Sequence, residues 1–122
     1  MLNKKISVVA PCYKEAANIR ALYGRLRVVL EANAVEWEII FVDNASPDNS
    51  EEIFQALAAE DGRVKVIFFS RNFGHSQYGY AAGTEYASGD AVVWIDGDLQ
   101  DPPELIPEFI KKWQEGYDVI YG

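Results

Sequence analysis

Cysteine and histidine are almost absent from this chain of 122 residues, and their scarcity excludes several kinds of chemistry. Cys12 is the only cysteine and His75 is the only histidine. An internal disulfide, a cysteine-based zinc site, a two-histidine metal motif and catalysis that needs a second histidine are therefore excluded. Apolar runs of membrane-spanning length are missing, and no signal peptide follows Met1. These absences predict a soluble protein in a reducing, cytoplasmic compartment.

Positive charge is also scarce. The chain carries 11 lysines and arginines against 19 aspartates and glutamates, which gives a formal net charge of -8. Because non-specific nucleic-acid binding needs a basic surface, no nucleic acid is expected as a partner. A phosphate group bound to this protein would have to be neutralised by a metal ion, by helix N-termini and by a few local cations.

The sequence does contain a regular alternation of short apolar runs with amphipathic stretches. Strands are predicted over residues 6–10, 37–42, 64–69, 91–95 and 118–121. Helices are predicted between them over residues 15–32, 50–60, 76–87 and 103–114, with Ser50 as N-cap of the second helix. Gly79 and Gly83 weaken the third helix. The alternation predicts one α/β domain, with a mostly parallel sheet and helices on both faces.

The most informative segment follows the fourth predicted strand and reads Asp96-Gly97-Asp98-Leu99-Gln100-Asp101-Pro102-Pro103-Glu104. Its first six residues carry three carboxylates and one amide, and that much negative charge is costly to bury unpaired. A divalent cation such as Mg²⁺ or Mn²⁺ suits these oxygen donors and usually shares them with phosphates. Gly97 leaves room for a ligand to approach the backbone. The alternative is an acidic turn that binds nothing.

The segment after the first predicted strand offers the parts of a nucleoside site. Pro11 fixes the backbone, Tyr13 offers a flat ring with a hydroxyl, and Glu15 offers an acceptor for ribose hydroxyls. The alternative is that Glu15 occupies the first turn of the following helix, where the helix dipole favours acidic side chains. The sequence leaves both interpretations open.

Two further polar segments follow strands, at the edge where parallel sheets bind their ligands. Asp43 and Asn44 follow the second predicted strand. The carboxamide of Asn44 can pair with the donor and the acceptor of a uracil edge, which favours a uridine nucleotide. Arg71 follows the third strand and can reach a diphosphate, although a surface arginine on a turn is the alternative.

Two other classes of protein with a parallel α/β sheet are disfavoured, because the residues that they need are missing. A dinucleotide-dependent dehydrogenase is disfavoured because no G-x-G-x-x-G motif follows the first predicted strand. A receiver-like signalling domain also binds Mg²⁺ with acidic residues at strand ends. It needs a lysine at a later strand end, and none follows the fourth or fifth predicted strand.

With these residues in view, the chain resembles the N-terminal part of a family 2 glycosyltransferase with a GT-A fold. It is most similar to polyprenyl-phosphate glycosyltransferases such as dolichyl-phosphate mannose synthase and bacterial undecaprenyl-phosphate sugar transferases. The resemblance runs along the whole chain. Its most specific parts are the acidic string that begins at Asp96 and the segment Ser70-Arg71-Asn72-Phe73-Gly74. It implies a Rossmann-like nucleotide-sugar-binding domain over residues 1–122, the nucleotide-binding half of a GT-A fold.

The resemblance also implies roles for individual residues. The family segments that hold the nucleoside match Pro11, Tyr13, Glu15, Asp43 and Asn44. Asp96 and Asp98 match the catalytic D-x-D motif, in which Asp96 lies against the nucleotide. Asp98 and Gln100 match the metal ligands. The family commonly has aspartate at the position of Asn44, so the identity of the base stays open.

The implied reaction is metal-dependent, inverting transfer of a sugar from a nucleotide diphosphate sugar, with a UDP-sugar favoured, to a polyprenyl phosphate or similar acceptor. Such reactions belong to cell-envelope biosynthesis. The chain ends within the fifth predicted strand, so we expect a longer protein with acceptor-binding and membrane-associating segments downstream, at the cytoplasmic face of the membrane. The alternative is a nucleotide-binding fragment that lacks the acceptor half and catalyses nothing. An exposed sheet edge would also favour a homo-oligomer.

Overall fold

The computed structural model describes residues 2–95 and 103–114, in which strands and helices alternate. The strands are β1 (Leu2–Cys12), β2 (Ala34–Asp43), β3 (Val64–Phe68) and β4 (Ala91–Trp94). The helices are α1 (Ile19–Asn33), α2 (Ser50–Glu60), α3 (Ser76–Tyr86) and α4 (Ile106–Gln114). The predicted strand over residues 118–121 lies outside the described residues. Within them, every helix is too short or too polar to cross a lipid bilayer.

The four strands form one parallel sheet in the order β3-β2-β1-β4. Strand β1 is central, because Val8 stands beside Ile39 of β2 on one side and beside Val93 of β4 on the other. Parallel neighbours need a crossover between them, since a tight turn cannot return the chain in the same direction. The helices supply those crossovers. The predicted parallel α/β architecture is confirmed.

Alternate strand residues point to opposite faces of the sheet and build two apolar cores. On one face, Val8 and Ile39 belong to the larger core, which packs against α1, α2 and α4. On the other face, Val9, Ile40 and Val42 form a smaller core beneath α3. Helices therefore cover both faces of the sheet, as the sequence predicts.

Helix α1 begins four residues later than the sequence predicts, at Ile19 rather than at residue 15. The cause lies in the backbone that precedes it. Lys14 adopts a left-handed conformation with φ of 55°. The carbonyl of Glu15 then accepts hydrogen bonds from the amides of Asn18 and Ile19, which closes a separate turn before the helix.

The starts of the second and fourth helices also differ from the prediction. Ser50 is the first residue of α2, and Asn49 occupies the N-cap position, so the predicted cap is wrong. The Ser50 hydroxyl donates to the carboxylate of Asp48 instead. The last helix opens with a 3-10 turn, Pro103–Leu105, before α4. Strands β1 and β2 are longer than predicted, whereas β3, β4 and α3 each end one residue earlier.

Helix α3 approaches β1 closely at the two glycines that weaken the helix in the sequence. A Cβ atom added to Gly79 would lie 2.7 Å from the Cβ of Pro11. A Cβ atom added to Gly83 would lie 2.3 Å from Cγ1 of Val9. Both distances are far inside van der Waals contact, so only glycine lets the helix backbone rest on these side chains. The two glycines lower the helix propensity of α3, but they let α3 pack closely beside the end of β1.

Replacing Gly83 by alanine should lower the free energy of unfolding by about 1–3 kcal/mol, because the new methyl group overpacks against Val9. The matched control is Gly24→Ala in α1, where an added Cβ meets nothing within 4 Å. Its improved helix propensity should stabilise the protein by about 0.5–1 kcal/mol. Urea unfolding measures both changes. A Gly83→Ala variant as stable as the unmodified chain would contradict the close packing.

Glu38 is a buried carboxylate in the first half of β2, away from the strand ends. Its side chain is 2% exposed. It accepts hydrogen bonds from the Ser7 hydroxyl at 2.6 Å, the Ser88 amide at 2.7 Å and the Lys65 ammonium at 2.5 Å. Burial alone would raise the pKa of Glu38, but these hydrogen bonds outweigh it and lower the pKa to about 2. The network joins three strands to the turn between α3 and β4.

Because its folded-state pKa lies below the ordinary 4.5, Glu38 stabilises the fold above that pH, and the contribution is lost as the pH falls towards 2. Glu38→Gln should lower the free energy of unfolding at neutral pH by about 1–3 kcal/mol. It should also flatten the decline of stability in acid. Glu36→Gln, whose side chain is exposed on the same strand, is the matched control. Urea unfolding across this pH range tests the prediction, and identical profiles for Glu38→Gln and the unmodified chain would refute it.

Candidate functional site

The strand order reverses at β1, with β2 and β3 on one side and β4 on the other. In parallel α/β sheets, ligands bind beyond the carboxyl ends of the strands at such a reversal. Cys12 at the end of β1 stands beside Asp43 at the end of β2, and Asp43 stands beside Phe68 at the end of β3. The loops that follow these three strands therefore meet at one edge of the sheet.

The loop after β1 carries three of the predicted nucleoside residues. Pro11 is buried beside Gly79 of α3, whereas Tyr13 exposes 39% of its surface. Glu15 is half-buried, and its carboxylate accepts a hydrogen bond from the Asn18 carboxamide at 2.8 Å. No acidic residue lies in the first turn of α1, so the alternative that placed Glu15 there is wrong. The flat ring of Tyr13 and the carboxylate of Glu15 remain at the site edge.

Asp43 is buried at the end of β2, and its carboxylate organises the loop that follows. Its Oδ1 atom accepts hydrogen bonds from the Ser46 amide at 3.2 Å and from the Ser46 hydroxyl at 2.5 Å. The Ser46 hydroxyl in turn accepts the backbone amide of Lys14 at 3.0 Å. Asp43 therefore acts on the β1–α1 loop through Ser46, and direct contact of Asp43 with a nucleotide stays a prediction.

Asn44 ties the loop after β2 to the loop after β3. Its Oδ1 atom accepts the backbone amide of Phe73 at 3.0 Å, and its Nδ2 atom donates to Oδ1 of Asn72 at 3.2 Å. A carboxamide has two N–H donors and two lone pairs, and within residues 2–95 and 103–114 one of each has no other partner. The predicted pairing of Asn44 with a uracil edge remains a prediction.

Arg71 lies in the loop after β3, with its guanidinium 4.2 Å from the centre of the Phe73 ring. The Phe73 ring also packs edge-on against Phe69 at 5.1 Å. Arg71 is exposed and forms no ion pair with any carboxylate of residues 2–95 and 103–114. An exposed guanidinium stacked on a ring is held in place while its N–H groups stay available to an anion.

The acidic segment that follows β4 lies largely outside the described residues, which include neither Asp96, Gly97, Asp98 nor Gln100. The chain on both sides of it is described. The Ile95 amide donates to the Val9 carbonyl at 3.0 Å, which holds the end of β4 against β1. After the gap, Glu104 forms a two-point ion pair with Arg25 of α1. Among the described residues, no three histidine, cysteine or acidic side chains are grouped to hold a metal ion.

Sequence reasoning missed two residues that shape this edge. Ser46 contacts the backbone of Lys14, and the Asp48 carboxylate accepts the backbone amide of Ala16 at 3.3 Å. Both belong to a loop whose polar residues suggest only turns and helix caps. Their spacing after Asp43 marks them as turn formers, but it gives no sign that they reach across to another loop.

A parallel sheet with polar loops gathered at its reversal point is typical of α/β domains that bind a ligand at that edge. Residues 7–122 match the family described as Glycosyl transferase family 2, and the chain belongs to this family. The uncharacterized glycosyltransferase YkcC of Bacillus subtilis (strain 168) is 50% identical over 116 residues, which are 95% of this chain and 36% of that protein. The bactoprenol glucosyl transferase of Shigella phage SfV is 45% identical over 116 residues, 95% of this chain and 38% of that protein. The chain thus spans little more than a third of these relatives.

Solved structures of glycosyltransferases share the fold. The mannosyltransferase PcManGT from Pyrobaculum calidifontis, solved with GDP-Man and Mn²⁺, has a TM-score of 0.75 at 20% identity. The match covers 93% of this chain and 33% of that one. The glucosyl-3-phosphoglycerate synthase from Mycobacterium tuberculosis, solved with UDP, has a TM-score of 0.69 at 25% identity over 93% of this chain and 41% of that one. The predicted Rossmann-like, GT-A type of sheet is confirmed.

Proposed function

We propose that the chain is the nucleotide-sugar-binding domain, over residues 1–122, of a glycosyltransferase that moves a sugar from a nucleotide diphosphate sugar to a polyprenyl phosphate. One observation carries the proposal: the loops after β1, β2 and β3 gather a flat ring, polar side chains and an exposed arginine at one sheet edge. Family membership supports sugar transfer. The relatives named bactoprenol glucosyl transferase support a lipid phosphate as acceptor.

The nucleoside occupies the edge formed by the first two loops. The exposed face of Tyr13 suits a base, because aromatic rings stack favourably. The carboxylate of Glu15 suits ribose hydroxyls, which donate hydrogen bonds. The carboxamide donor and acceptor of Asn44 that have no partner among the described residues suit a uracil edge, and we favour a UDP-sugar for that reason. Arg71 lies on the next loop, where its exposed guanidinium suits the diphosphate.

The D-x-D segment supplies the donors for a divalent cation, which we propose is Mg²⁺ or Mn²⁺. Asp98 and Gln100 offer the hard oxygen ligands that such a cation prefers, and we assign Asp96 and Gly97 to nucleotide binding. When bound, the cation neutralises the departing diphosphate. An acidic chain of net charge -8 has few cations of its own for that task.

Transfer proceeds with inversion, by a single displacement. An oxygen of the acceptor phosphate forms a bond to the anomeric carbon while the bond from that carbon to the diphosphate oxygen breaks. The phosphate has a second pKa of about 6, so it is mostly ionised at neutral pH and needs positioning more than a general base. We propose that a lipid acceptor brings the protein to the cytoplasmic face of the membrane.

Calorimetric titration tests the donor and the metal. We expect UDP to bind more tightly than GDP in the presence of Mn²⁺, and a chelator to weaken UDP binding by at least about tenfold. Asp98→Ala should abolish this metal dependence without changing the circular dichroism spectrum. Glu108→Ala removes the same charge from an exposed position on α4 and should behave as the unmodified chain. Equal binding of UDP with and without Mn²⁺ would refute the role of Asp98 and Gln100 as metal ligands. Tighter binding of GDP than of UDP would refute a UDP-sugar as the donor.

The second candidate is a domain that binds the nucleotide without transferring sugar. Incubation with UDP-glucose and a short polyprenyl phosphate in detergent separates the two. Formation of glucosylated lipid supports transfer, whereas UDP binding without product supports the binding domain.

A further inference from the structure

The hydroxyl of Ser46 joins two loops of the candidate site. It lies 2.5 Å from Oδ1 of Asp43 and 3.0 Å from the backbone nitrogen of Lys14. The Ser46 hydroxyl donates its proton to Oδ1 of Asp43. Its oxygen is then left to accept the N–H of Lys14. The direction of both hydrogen bonds is therefore fixed by the chemistry of the three groups.

The backbone of Lys14 needs such support. Its φ of 55° is left-handed, a conformation that is strained for a residue with a Cβ atom. Strained residues persist only where surrounding contacts hold them. Ala16, two residues further on, is held in the same way from the opposite loop, because its amide donates to Asp48 at 3.3 Å. The β1–α1 loop is thus positioned at two points by the β2–α2 loop.

The conformation of Lys14 decides where its neighbours point. Tyr13 and Glu15 flank it in the chain, and reversal of φ between them would reorient both side chains relative to the strand end. The Lys14 ammonium lies 5.3 Å from the centre of the Tyr13 ring, which is a weak contact between two exposed side chains. The backbone angle of Lys14 therefore sets the directions in which the Tyr13 ring and the Glu15 carboxylate leave the loop.

We propose that Ser46 is a positioning residue for nucleotide binding, which acts through the backbone of Lys14 to pre-organise Tyr13 and Glu15. The inference rests on the proposed function, since it takes the nucleotide as the ligand of these two side chains. Pre-organisation improves affinity because less order has to be imposed when the ligand binds.

The test compares four variants with the unmodified chain: Ser46→Ala, Ser46→Thr, the double variant Ser46→Ala with Lys14→Gly, and Asn49→Ala. Asn49→Ala is the matched control, because Asn49 lies in the same loop with an exposed side chain that makes no capping hydrogen bond. Two quantities are measured: hydrogen exchange of the residue 14 amide by NMR without ligand, and the Kd for UDP with Mn²⁺ by calorimetry.

Ser46→Ala should accelerate exchange of the Lys14 amide and weaken UDP binding, each by about fivefold to tenfold, as expected for one lost hydrogen bond. Ser46→Thr keeps the hydroxyl and should retain both values. Glycine adopts positive φ without strain, so Lys14→Gly in the Ser46→Ala background should recover most of the affinity. Asn49→Ala should change neither quantity.

Three results would overturn the proposal while the proposed function stands: unchanged exchange in Ser46→Ala, faster exchange with unchanged affinity, or lost affinity that Lys14→Gly does not recover. If Ser46→Ala does not fold, Ser46→Thr against Ser46→Val gives the same comparison, because these side chains have the same shape and differ in the hydroxyl. Failure of the unmodified chain to bind UDP would instead overturn the proposed function, and the role of Ser46 in nucleotide binding with it.

Discussion

The pairing of β1 with a parallel neighbour on each side is the constraint on which the rest of the structure depends. Its hydrogen bonds continue past the strands, because the Asn44 amide donates to the Cys12 carbonyl and the Ile95 amide donates to the Val9 carbonyl. The loops that leave β1, β2 and β4 consequently start from fixed points at one edge. Polar side chains far apart in the sequence meet there because the backbone ladder brings their loops together.

The strand and helix pattern could be predicted because it follows from burial along the chain. Helix α2 has the predicted bounds, Ser50–Glu60, and the apolar runs form the central strands. Close approaches could not be predicted in this way. Gly79 and Gly83 lower helix propensity, and only their contact with β1 explains them. The left-handed angle of Lys14 likewise depends on a neighbouring loop, which no local pattern reveals.

Polar clusters at strand ends predict a ligand edge in a parallel sheet, and the loops after β1, β2 and β3 do meet at one edge. The structural role of each side chain was less predictable. Asp43 and Asn44 both hold loops through hydrogen bonds to Ser46, Asn72 and Phe73, whereas Tyr13 and Arg71 are exposed. A side chain at the predicted ligand edge can therefore hold a neighbouring loop in place without itself contacting the ligand.

The most direct test of the account is NMR of the chain with UDP and a trace of Mn²⁺, whose unpaired electrons broaden nearby amide signals. The account predicts UDP-dependent broadening at the strand-end loops, around Tyr13, Asn44 and Arg71. Amides around Glu38 and Ser88, in the network away from those loops, should stay sharp. Broadening centred on Glu38, or none that depends on UDP, would contradict a nucleotide and metal site at this sheet edge.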